Sequence, residues 1–277
     1  MATLAHGLYF VATPIGAARD ITLRALDILR EADVLAAEDT RTLRHLMEIH
    51  GVALNGRPLV AYHDHNGGQA TPRLIRALEE GKTVAYASEA GTPLVSDPGF
   101  ELGREAIAAG LPVLTAPGPS AVIAALTVAG LPSDRFMFAG FLPATRSARQ
   151  RVLRELAGVP ATLIFYESPR RLAASLADMA DVLGPRDAAV CRELTKRFEE
   201  VVRDPLPDLA ATFADRDVKG EIVVLVDRGT PEVATEADVE TALRAALETA
   251  SVKDAAAQVA ARLGLPKRDV YQMALKL

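Results

Sequence analysis

The chain has no tryptophan, a single cysteine and only 5% aromatic residues. One cysteine, Cys191, excludes an intramolecular disulfide, and with it a disulfide-stapled secreted domain. Scarce aromatics leave the core to Ala, Val, Leu and Ile. No apolar run reaches the ~18 residues that a membrane helix needs. The opening MATLAHGLYF has no basic segment followed by a long apolar stretch, so no signal peptide is expected. The net charge is −5, which excludes a uniformly basic nucleic-acid binder. Neither GxGxxG nor GxxxxGK[ST] follows any strand-like run, so the common dinucleotide and P-loop fingerprints are missing. Together these absences suit a reducing cytoplasm.

What is present is a chain of 277 residues, 49% of them hydrophobic, enough to bury a sizeable core. Its densest feature is SEAGTPLVSDPG, Ser88 to Gly99, directly after the strand-like KTVAYA. Gly91, Pro93, Pro98 and Gly99 surround the hydroxyls of Ser88, Thr92 and Ser96. Such a segment continues neither a helix nor a strand. An ordinary turn needs only one or two such residues, so this one reads as a shaped binding loop at a strand end. Two more strand–Pro/Gly loop–helix units follow the same plan. Leu8 to Ala12 runs into Thr-Pro-Ile-Gly, and Leu111 to Thr115 runs into Pro-Gly-Pro before a helix that Ser120 is placed to cap. Three such units suggest one ligand crevice at the carboxyl ends of parallel strands.

The alternation of apolar runs and helix-period segments predicts an α/β fold. Strands are expected at Leu8 to Ala12, Val34 to Ala36, Leu59 to Tyr62, Thr83 to Ala87 and Val113 to Thr115. Helices are expected at Leu23 to Arg30, Thr40 to His50, Gln69 to Glu80 and Gly99 to Ala109. The second half reads as five strands with two helices, Ser147 to Ala157 and Pro169 to Leu183, and so as a mixed sheet. We therefore expect an α/β domain over 1–116, a second over 117–230, and a helical unit over 235–277 in which helix, Gly-Leu-Pro turn and helix resemble a helix-turn-helix. For that tail, a structural prop and nucleic-acid contact stand about level.

Positive charge is local. Arg146, Arg149, Arg151 and Arg154 fall in one acid-free run, Arg170 and Arg171 are adjacent, and the last 27 residues hold five Lys or Arg against two Asp. Solvated helix faces and phosphate contacts both explain such runs. His63, Asp64 and His65 lack further ligands at metal-site spacing, so no metal is expected. Substrate contact suits His65 and Asn66 better. Glu38 and Asp39 are adjacent carboxylates after a strand, suited either to proton handling or to capping the next helix. Lys196 either stabilises developing negative charge or pairs with Glu199 or Glu200 on the surface. Cys191 reads as core.

VATPIG, AEDTR at 37–41, SEAGTPLVSDPG, APGPSAVIAAL, FYESPRRL, ELTKRFEE and KGEIVVLV, in this order and spacing, resemble the tetrapyrrole methylase superfamily, and within it the RsmI branch of small-subunit ribosomal RNA methyltransferases. The likeness covers about the first 228 residues. Two positions depart from the family pattern: Glu89 stands where Asp is usual and Ala17 where Asn is usual. The resemblance implies two α/β domains with S-adenosylmethionine in the cleft between them, a homodimer, and methyl transfer to a cytidine ribose 2′-hydroxyl of 16S rRNA. It implies cofactor contacts from Pro14, Ala90, Gly91, Thr92, Val95, Ser120, Ala121, Glu167, Leu194 and Gly220. Catalytic roles would fall to Glu38, Asp39, Glu193 and Lys196, and RNA contacts to Arg41, His65, Asn66, Arg146, Arg149, Arg151, Arg170 and Arg171. A tetrapyrrole-ring methylase and a non-catalytic RNA-binding factor are the rival readings.

Overall fold

The computed structural model describes residues 4–63, 66–95, 99–229, 236–263 and 265–277. In its first half, β1 (Gly7–Val11), α1 (Leu23–Glu31), β2 (Val34–Ala37), α2 (Thr40–Ile49), β3 (Leu59–Ala61), α3 (Gly67–Glu79), β4 (Thr83–Ala87), α4 (Phe100–Ala108) and β5 (Val113–Ala116) alternate strictly. The strands form one sheet in the order β3-β2-β4-β1-β5, with every pairing parallel. Helices cover both faces. Tyr9, Val11, Leu35, Ala85 and Ala87 pack with Ala25, Ile28, Leu29, Leu43 and Met47 of α1 and α2. Leu8, Phe10, Val34, Val84 and Tyr86 pack with Leu74, Leu78, Leu102 and Ala106 of α3 and α4. Two covered faces explain why β1, β2 and β4 are buried throughout and read as continuous apolar runs. Thr22 caps α1 by accepting from Ala25 N at 3.1 Å.

The chain then forms α5 (Ala121–Ala129), β6 (Phe136–Phe141), α6 (Arg146–Leu156), β7 (Thr162–Glu167), α7 (Leu172–Leu183), β8 (Asp187–Arg192), β9 (Glu200–Pro205), α8 (Leu206–Phe213) and β10 (Ile222–Val226). The second sheet runs β6-β7-β10-β8-β9, with β6 parallel to β7 and the other pairs antiparallel. On one face α5 packs Val122, Ala125 and Leu126 against Ile164, Ala189, Cys191, Val223 and Leu225. On the other, Leu153, Leu172, Leu176, Met179, Leu209 and Phe213 of α6, α7 and α8 cover Leu163, Phe165, Val190, Val224 and Val226. Helix α8 was not anticipated from Pro205-Leu-Pro207, which reads as a break. Proline is tolerated in a first turn, where its missing N–H has no partner to lose, and the helix starts there. Ser120 stands at the N-cap of α5 but makes no side-chain capping bond.

Residues Met1–Arg228 form one compact unit, in which both sheets lie, and Gly229–Leu277 form another. Taken by itself, the second contains α9 (Glu236–Leu247), α10 (Val252–Leu263) and α11 (Lys267–Ala274). Its core joins Val239 and Leu243 to Ala256, Val259, Ala260, Val270 and Ala274. Thr235, the first residue of the expected helical unit, and Gly264 of its turn lie outside the described residues.

Candidate active site

The loops after β1 and β4 are stitched together. Thr13 N donates to Gly91 O at 3.0 Å, and Gly91 N donates back to Thr13 O at 3.1 Å. Thr13 Oγ1 donates to Ser88 O at 3.1 Å, and Ser88 Oγ donates to Gly91 O. The Thr92 hydroxyl donates to Pro119 O at 2.8 Å, tying this pair to the turn before α5. Gly91 sits at φ +82° with Leu94 at +71°, so the chain reverses where only a shaped loop allows it. A Cβ on Gly91 would stand 3.2 Å from Ile15 Cγ2. Ser96 and Pro98 of this loop lie outside the described residues.

The loop after β8 forms the opposing wall. Glu193 and Thr195 hold left-handed backbone at φ +51° and +63°, uncommon for residues with side chains. Thr195 Oγ1 accepts from Ala17 N at 3.1 Å, and a Cβ on Gly16 would meet Lys196 Cγ at 2.5 Å. The loops after β1 and β8 therefore touch backbone to side chain. Gly220, at φ +93°, leaves room for Glu193, whose Cδ would lie 2.4 Å from a Cβ there. Glu193 Oε1 accepts from Lys196 Nζ at 2.9 Å and from Glu221 N at 3.0 Å. Lys196 Nζ also donates to Glu221 Oε2 at 2.9 Å. Burial works against the Lys196 charge, but its hydrogen bonds to Glu221 and Glu193 outweigh it and raise its pKa above the ordinary lysine value. The Lys196 hydrogen bond, then the Glu221 amide, lower that of Glu193. Lys196 is thus a fixed cation at neutral pH, able to stabilise an anion and unable to accept a proton.

These walls enclose a cleft of about 660 Å3. All ten expected cofactor contacts line it: Pro14, Ala90, Gly91, Thr92, Val95, Ser120, Ala121, Glu167, Leu194 and Gly220. Glu38 and Lys196 line it too, and Glu193 braces Lys196 from behind. Sequence reasoning missed Phe141, Tyr166, Ser168 and Glu221, which only the meeting of β6, β7 and β10 brings to the cleft. Cys191 lines the floor, fully buried, its thiol pushed by burial up to about 11 and so inert.

Other expected residues are placed differently. Asp39 caps α2 through Arg41 N at 2.8 Å and grips the Arg41 guanidinium at 2.7 Å, which lowers its pKa to about 2. Such a carboxylate is a poor proton acceptor, so the capping alternative describes it. Lys196 pairs with Glu193 and Glu221 in place of the alternatives Glu199 and Glu200. Asn66 spends its amide on a local turn, Oδ1 accepting from His63 N and Nδ2 donating to Ala61 O, both at 2.9 Å. His65 lies outside the described residues. Among the described residues, no group of His, Cys, Asp and Glu is arranged to hold a metal ion.

Arg149 is the clearest correction. It is 4% exposed and donates through Nε to Asp178 Oδ2 at 2.7 Å, while Gln150 and Arg146 bond the same carboxylate. A guanidinium enclosed this way holds α6 to α7 and does not face a phosphate. Arg171 likewise turns inward, donating to Glu167 Oε1 at 2.8 Å and Leu142 O at 3.2 Å. Glu167 also accepts from Ser168 N at 2.7 Å and Ser175 Oγ at 2.5 Å, so its carboxylate shapes the cleft floor from within the fold. Arg41, Arg146, Arg151 and Arg170 remain exposed.

The family model of Tetrapyrrole (Corrin/Porphyrin) Methylases matches residues 7–210. The chain belongs to the tetrapyrrole methylase family. A second match, to the RsmI C-terminal HTH domain, covers 233–277. Among curated relatives, Ribosomal RNA small subunit methyltransferase I of Mesorhizobium japonicum is 50% identical over 276 residues, 99% of this chain and 93% of the relative. The protein of the same name from Pseudomonas aeruginosa is 46% identical, covering 97% of this chain and 96% of its own length. Solved structures share the fold at lower identity. Cobalt precorrin-4 methyltransferase aligns with TM-score 0.60 and 18% identity over 80% of this chain and 95% of its own. Uroporphyrin-III C-methyl transferase from Thermus thermophilus, complexed with S-adenyl homocysteine, aligns with 0.56 and 20% over 79% and 96%. In this tetrapyrrole methylase, the loops over 90–92 and 120–121 line the cleft beside the apolar floor of Cys191 and Val223. That mixture of polar backbone and apolar slot fits a zwitterionic nucleoside ligand such as S-adenosylmethionine, within the usual volume of a small-molecule site.

Proposed function

We propose that the chain transfers a methyl group from S-adenosylmethionine to a cytidine ribose 2′-hydroxyl of small-subunit rRNA, working as a homodimer in the cytoplasm. The observation that carries this reading is the single cleft lined by all ten expected cofactor residues together with the cation Lys196 and the carboxylate Glu38. Full-length likeness to relatives named as small-subunit rRNA methyltransferases, tail domain included, favours RNA over a tetrapyrrole ring as substrate.

The donor supplies a methyl group on a sulfonium, a leaving group that needs no further activation. Residues of this chain supply position and electrostatics. The stitched loops at Thr13 and Gly91 hold the cofactor wall in one shape. Glu38 orients the ribose hydroxyl and takes its proton as the oxygen is methylated. Lys196, held by Glu193 and Glu221, stabilises the negative charge that develops on that oxygen. Exposed Arg41, Arg146, Arg151 and Arg170 meet RNA phosphates, where neutralisation supplies affinity. The domains over 1–116 and 117–230 contribute opposite walls, and the unit over 235–277 adds RNA contact.

The test uses small-subunit particles from cells lacking the chain, incubated with purified protein and labelled S-adenosylmethionine, with the product mapped by mass spectrometry. One new ribose methyl on a cytidine is the expected result. Label entering a precorrin and no rRNA, or no transfer despite cofactor binding, would overturn the reading.

A further inference from the structure

Phe141 is out of place as a core residue. In a chain with 5% aromatics, it ends an edge strand 55% exposed, yet lines the cleft. A specific backbone device puts it there. The register of β6 against β7 shifts between Phe138 and Gly140, and Gly140 adopts φ +68°. In a regular strand Phe138 would share a face with residue 140. The bulge advances that face by one residue, so Phe138 and Phe141 both contact Tyr166, with centroids at 4.7 and 5.7 Å. Both contacts are edge-type, at 63° and 66°, so Tyr166 backs the two phenylalanines.

The surroundings define what such a ring would meet. Tyr166 and Phe141 are the aromatic side chains among the described lining residues. Tyr166 pairs in register with Val223 of β10, two residues from Glu221, which holds Lys196. After Phe141 the chain passes Leu142 to Thr145 and enters α6, whose Arg146 and Arg151 are exposed. The aromatic step thus lies in sequence between the cleft wall and a basic helix start.

Resting on the function proposed above, we infer that Phe141 is the stacking platform for the nucleobase of the reacting nucleotide. A base taken out of its stack needs a π surface to replace its neighbours, and base–aromatic stacking tolerates a Phe without hydrogen-bonding groups. With its base on Phe141, the ribose is presented to the cleft that Lys196 lines, so the ring sets which sugar reacts.

The experiment measures steady-state methylation of unmodified small-subunit particles and, separately, S-adenosylmethionine affinity by calorimetry. Phe141→Ala and Phe141→Leu should each raise the KM for particles by about ten- to hundredfold, the range that loss of one stacked base predicts. The kcat and the cofactor affinity should hold. Phe141→Trp should restore KM. Leu keeps apolar bulk without a π face, so equal defects in Ala and Leu with rescue by Trp point to stacking and not to packing. Unchanged KM in a folded Phe141→Leu would overturn the inference. So would weakened cofactor binding with unchanged KM, which would assign the ring to the cofactor's adenine. Absence of methylation by the wild-type protein would instead fail the proposed function.

Discussion

Replacing Lys196 with Met tests the centre of the site. The side chain is 28% exposed and bonds two carboxylates, one of them, Glu221, 70% exposed. Solvent screens the Glu221 pair more than the largely buried Glu193 pair, so losing both removes about 1–2 kcal/mol of stability. Glu193 keeps the Glu221 amide at 3.0 Å, and Met retains most of the stem against Gly16. The fold should therefore survive. In the proposed reaction the ammonium has a different part, because it faces a charge that forms only in the transition state. Losing such a group lowers turnover by roughly 10²–10⁴, or about 2.7–5.5 kcal/mol. The decisive assay is single-turnover methylation at saturating RNA and cofactor, with both affinities measured separately. Binding should persist while the rate falls. The raised pKa adds a sign: Lys196 stays charged through the neutral range, and wild-type turnover attributable to it declines only above the ordinary lysine value. A near-normal single-turnover rate in folded Lys196→Met would remove Lys196 from the chemistry and leave Glu38 to be tested.

Thr92→Arg should abolish S-adenosylmethionine binding, read by calorimetry, because the side chain fills the cleft and loses the 2.8 Å bond to Pro119 O, while circular dichroism shows a retained fold. Asp178→Asn should lower stability by about 3–5 kcal/mol, since it leaves Arg149 charged and enclosed, and Tm by roughly 6–20 °C. Burial opposes ionisation of Asp178, yet Arg149, Gln150 and Arg146 hold its pKa below the usual aspartate value. Its stabilisation is therefore present above the unfolded-state pKa and lost as pH falls through the folded one, which acid titration of wild type and variant would show as a converging pair of melting curves. Arg146→Ala with Arg151→Ala should weaken particle binding and flatten its dependence on log salt by about 1.4–2 units, the sum for two phosphate contacts, without changing saturated turnover. A salt slope equal to wild type would take these arginines off the RNA face.

Local chemistry decided much of this protein before any packing. Parallel strands buried on both faces must be continuous apolar runs, so β1, β2 and β4 were legible in LYFVA, VLA and TVAYA. Proline and glycine punctuate only where the backbone turns, so the loops after β1 and β4 marked one wall of the cleft, and the family motifs named residues that line it. The partners of charged groups were a different matter. An arginine run looks the same whether it faces solvent or a carboxylate on another helix, and Asp178, 29 residues beyond Arg149, decided that. Asp39 and Glu38 are neighbours in sequence, but helix geometry sends one to the α2 cap and the other to the cleft. Phe141 reads as one more apolar strand residue until a bulge turns it. Periodicity and turn chemistry act over a few residues and survive in sequence, whereas which charges meet, and which rings reach a cleft, depends on strands and helices brought together from distant parts of the chain.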